Sequence, residues 1–97
     1  MADRVTLATL ESLCATIEHR VNGAAGGPLW TRADDGRSVA RIGAYYIDGA
    51  YGGVALYRIV TDGGGVSDVL GCGHVPKREL ANRMRAFIRG LEVAAGE

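Results

Sequence analysis

Ninety-seven residues with a formal net charge of zero and 47% hydrophobic content describe one domain, spanning 1–97. Fourteen of the hydrophobic residues are alanine, so the core rests on 8 Leu, 9 Val, 5 Ile and 1 Phe. A chain this size buries about two thirds of its unfolded surface, which leaves little room for a deep cleft and argues against a large cofactor-dependent enzyme.

Met1-Ala2-Asp3-Arg4 runs into a periodic segment without an apolar leader, and no stretch approaches the ~18 apolar residues of a membrane span. The expectation is a cytoplasmic protein with no membrane partner, its Cys14 and Cys72 reduced. Val5, Leu10, Leu13, Cys14, Ile17 and Val21 recur at three- and four-residue spacing, predicting a helix over about 4–22. Asp3 or Thr6 suits its cap and Gly23 a left-handed stop, with Glu11, Ser12, Glu18, His19 and Arg20 off the apolar stripe.

A glycine-rich loop over 22–28 follows, then strands. Leu29–Arg32 precedes Asp34-Asp35-Gly36, a hairpin signal. Ser38–Ile47 reads as one longer strand, Asp48–Gly53 as a turn, Val54–Val60 as a third strand, and Val66–Leu70 as a fourth after Gly63-Gly64-Gly65. Pro76 and Glu79 open a second helix over about 76–94, with Leu80, Met84, Phe87, Ile88 and Leu91 as its apolar stripe. The order α-β-β-β-β-α predicts an α+β two-layer sandwich, both helices on one face of an antiparallel meander. The other sheet face meets water or a partner.

Candidate chemistry is sparse. Cys72 and His74 share a face of an extended segment and form half a metal site, but Cys14 and His19 lie five apart and do not complete it. The expectation is no metal and no cofactor. Gly71-Cys72-Gly73 lacks a nucleophile motif, and no glycine run leads into the Lys-Ser/Thr of a phosphate loop. No catalytic residue is expected.

Charge is informative because it is uneven. Residues 74–91 hold Lys77, Arg78, Arg83, Arg85 and Arg89 against Glu79 alone. Arg78, Asn82, Arg85 and Arg89 recur at i, i+4, i+7 and i+11, opposite the apolar stripe, with Lys77 and Arg83 flanking. Lys77 and Arg78 occupy the first turn, where the helix dipole disfavours cations. Such a stripe suits an acidic protein surface or a phosphate backbone, and is equally what solvation alone favours. Tyr45, Tyr46, Tyr51 and Tyr57 cluster within thirteen residues, Tyr45 and Tyr46 facing opposite ways. Tyr51, beside a glycine turn, joins the stripe as a candidate partner-binding residue.

The compact order, with Tyr51-Gly52-Gly53, Gly64-Gly65 and Pro76-Lys77-Arg78-Glu79-Leu80, resembles small accessory proteins of phages and mobile elements. Anti-CRISPR and other host-inhibitor proteins are of that sort. The resemblance covers the style of residues 45–91 and carries over no functional residue. It implies a non-catalytic binding protein that occludes a host protein or ribonucleoprotein complex, as a monomer or homodimer. The alternative is a nucleic-acid-binding module using the basic C-terminal helix, which zero net charge disfavours.

Overall fold

The computed structural model describes residues 4–96. Helix α1, Leu7–Asn22, begins where Thr6 turns extended. The Thr6 hydroxyl accepts the Thr9 amide at 3.3 Å, and the Thr9 hydroxyl accepts the Thr6 amide. This reciprocal cap starts the helix three residues later than the periodicity alone predicts. Asp3, the other candidate cap, lies outside the described residues. Gly23, at φ 81°, donates to the His19 carbonyl and ends α1 as expected.

Strands β1, Trp30–Arg32, and β2, Ser38–Ala40, form an antiparallel ribbon closed by Asp34-Asp35-Gly36. The single strand expected over Ser38–Ile47 is instead two. Gly43 adopts φ 90° and donates to the Ile59 carbonyl, while Ala44 donates back to Arg41. That left-handed step turns the chain out of the ribbon and into a second sheet. Its strands are β3, Tyr45–Ala50, β4, Gly53–Ile59, and β5, Val66–Asp68, in the order β3-β4-β5. Helix α2, Lys77–Ala94, closes the chain, with Pro76 just before its first residue. The α+β architecture stands, with five strands in two sheets rather than four in one.

The main core lies between the inner face of β3-β4-β5 and the two helices. Tyr45, Val54 and Leu56 meet Leu10, Cys14 and Ile17 from α1 and Leu80, Ala81 and Met84 from α2. At about 25 cal/mol per Å² of apolar area removed from water, such side chains contribute roughly 1.5–3 kcal/mol each. A smaller cluster of Ala40, Ala44 and Ile59, with Leu29 and Tyr46, attaches the ribbon. Trp30 extends that attachment, its indole lying over Gly64. Arg20 of α1 and Glu92 of α2 pair at 3.3 Å across the helix layer.

One residue expected on the solvent side is buried. Glu18 is 3% exposed, because the chain returning from the ribbon covers it. Arg41 donates to its carboxylate at 2.6 Å, and the Tyr45 amide donates to the other oxygen at 3.4 Å. A buried carboxylate is tolerable only with such partners. Among the described residues no helix is long and apolar enough to cross a membrane.

Candidate functional site

Strand alternation sends Tyr46, Asp48, Ala55 and Tyr57 to the sheet face away from the helices. Asp48 was expected in a turn. The strand in fact continues to Ala50, and the hairpin closes over only Tyr51 and Gly52. Both have positive φ, 54° and 72°, the mark of a type I′ turn. That position favours Asn, Asp or Gly. A bulky side chain there is strained, by about 1–2 kcal/mol. Tyr51 nonetheless occupies it and stands 96% exposed.

A distant segment completes this face. Val75 exchanges both backbone hydrogen bonds with Val54, laying this segment alongside β4 on the side away from β3. The segment passes so close to Gly53 that a Cβ there would sit 3.0 Å from the Val75 backbone. His74 is thereby laid between Asp48, Tyr51 and Tyr57. Its Nε2 lies 2.8 Å from the Asp48 carboxylate, and since an ionised carboxylate only accepts, Nε2 carries the proton. Its ring meets Tyr51 edge-on at 5.5 Å and Tyr57 at 5.8 Å, while Tyr46 meets Tyr57 at 5.9 Å. Partial loss of solvent, then the charge of Asp48, raises the hydroxyl pKa of Tyr46 and of Tyr57. Asp68 adds to the effect at Tyr57. The face is aromatic, neutral in its phenols and edged with acid.

Cys72 is held apart from this group's chemistry. Asp68 accepts the Gly71 and Gly73 amides at 3.1 and 2.8 Å, folding the loop so that the thiol points at the Gly73 carbonyl. Cys14 is in the core, where burial, then Glu18 and Glu11, pushes its thiol up to about 12. Among the described residues no three His, Cys, Asp or Glu gather as a metal would require.

The basic stripe runs along the exposed face of α2. Arg78, Asn82, Arg85 and Arg89 are all exposed on α2, as is Lys77. Arg83 pairs with Glu79 at 3.1 Å and Arg89 with Glu92 at 3.7 Å, which mutes part of the charge. Lys77 and Pro76 border one groove together with Gly52 and Gly53, so the stripe begins beside the Tyr51 turn. Tyr51 and the stripe residues are exposed, at a turn and on a helix, as the sequence reading expects, whereas that reading does not group Tyr46, Asp48, Tyr57 and His74. A two-residue turn at Tyr51-Gly52 would have paired Asp48 with Ala55 and Tyr46 with Tyr57, the one signal that was available. Comparison with protein families, curated proteins and solved structures finds no match for this chain.

Proposed function

We propose that this chain is a small non-catalytic binding protein of the phage or mobile-element kind, occluding a site on a host protein or ribonucleoprotein complex. An anti-CRISPR inhibitor is an example of such an activity. The observation that carries the reading is Tyr51, a bulky side chain kept in a left-handed turn and almost fully exposed. Folding alone favours Asn or Gly at this position, so the strain has to be repaid elsewhere. Tyr is rigid, amphipathic and frequent among the residues that dominate binding energy. His74 buttresses it from behind, and Lys77 and Arg78 begin a basic stripe alongside.

The test separates folding from binding. Tyr51→Asn and Tyr51→Gly should melt at or above the wild-type temperature, by up to about 1 kcal/mol, yet lose partners captured from a candidate host lysate. A triple Arg→Glu variant at Arg78, Arg85 and Arg89 should likewise stay folded and lose capture. Full capture by all of these variants would reject the reading. Nucleic acid is the second reading, favoured only by the exposed stripe, and it requires affinity that falls steeply with salt.

A further inference from the structure

We propose that the outer edge of β3 is a strand-addition site, accepting an extended peptide segment of a partner protein. The sheet order leaves β3 at an edge with no strand beside it among the described residues. The direction of its free backbone groups follows from β4. Val54 bonds Val75, and the Leu56 carbonyl accepts from Val69, so both face away from β3. Their partners in the ladder, Gly49 and Ile47, therefore face away from β4.

Helix α1 runs antiparallel along this edge and seals only half of it. Asn22 donates to the Gly43 carbonyl at 2.7 Å, and one turn back Glu18 accepts the Tyr45 amide. Four helical residues rise about 6 Å and two strand residues about 6.6 Å, so the elements stay in step. The next turns bring Cys14 and Ala15, then Leu10 and Glu11, with Leu7 beyond, and among the described residues no hydrogen bond joins them to the backbone of Ile47 or Gly49. Two grooves mark the consequence and meet at Ile47. One is lined by Tyr45, Ile47, Glu11, Cys14 and Ala15, the other by Ile47, Gly49, Leu7, Pro76 and Lys77.

The trough admits one strand. A second copy added edge to edge would bring its own α1 over a strand only about 4.8 Å away, whereas a helix is about 10 Å across. Charge gives the occupant a polarity, since Glu11 lines one groove and Lys77 the other. Neither has an ion-pair partner among the described residues. The fitting segment is extended, with a basic side chain over Glu11 and an acidic one over Lys77. Main-chain bonds would supply affinity and these charges specificity.

The inference rests on the binding reading, and its test uses no natural partner, so the two can fail separately. A display library of random linear decapeptides is selected on the wild-type protein. Expected are alternating, β-branched sequences bearing that charge order, bound about tenfold or more weakly by Gly49→Pro and normally by Gly49→Ala. Proline removes an amide that points away from β4, so the β3-β4 ladder survives. A Glu11→Lys, Lys77→Glu double variant, changed only at exposed positions, should select the opposite charge order. No enrichment, binding indifferent to Gly49→Pro, or an unchanged charge order would overturn strand addition. So would a concentration-dependent dimer in sedimentation that Gly49→Pro dissolves, which assigns the edge to a second copy.

Discussion

Cys14 shows how a side chain's surroundings decide its chemistry. Its thiol, pushed to about 12, stays protonated in the fold, whereas in the unfolded chain it ionises near its ordinary value of 9.0. The folded state thus holds the proton longer, and stability is unaffected below pH 9 but falls above it. The slope is at most about 1.4 kcal/mol per pH unit. Melts at pH 8, 9 and 10 should show this decline, and Cys14→Ala should flatten it. An alkylating reagent at neutral pH should label half-exposed Cys72 and spare Cys14 until denaturant is added. At Glu18 the partner matters more than the residue. Arg41→Ala strands a buried carboxylate and should cost about 2–3 kcal/mol in chemical denaturation.

Among the elements, α2 is the one most plainly written in the sequence. Leu80 and Met84 are fully buried and Arg85 is exposed, as three- and four-residue spacing predicts. Leu80→Ala should lose roughly 2–5 kcal/mol and Arg85→Ala no more than about half a kcal/mol. Equal losses in thermal melts would mean the helix is docked by its other face. The β region is less legible, for definite reasons. Gly43 breaks a segment that holds Val39, Ile42, Tyr45, Tyr46 and Ile47 through its φ, which no neighbour signals. Tyr51 is a poor turn former, so the tight hairpin hides inside what reads as a six-residue loop. Gly53 looks like turn punctuation, yet it clears a path for the Val75 backbone. Gly53→Ala should therefore break the Val54-Val75 pairing and free His74, lowering the melting temperature and moving the His74 ring signals toward their random-coil positions in NMR.

For the whole molecule, the helices and their core are local facts, while the sheet face is a product of long-range return. Asp48 and His74 are 26 residues apart and meet only because the chain doubles back after β5. Periodicity cannot report such a meeting. A footprint of about 800 Å², ordinary for a specific interface, would take more than an eighth of the molecule's 6004 Å² surface. The ribbon joins the rest of the molecule through the smaller cluster and Trp30. Trp30 is the chain's single tryptophan, and it rests half-exposed on Gly64 at the ribbon's attachment rather than in the main core. Its fluorescence is consequently a gauge of ribbon docking. In rising urea the emission should redden before the helical ellipticity is lost, since a two-stranded ribbon opens more cheaply than the sandwich beneath it. Coincident curves would instead show that the small Ala40, Ala44 and Ile59 cluster couples ribbon and sandwich into a single melting unit.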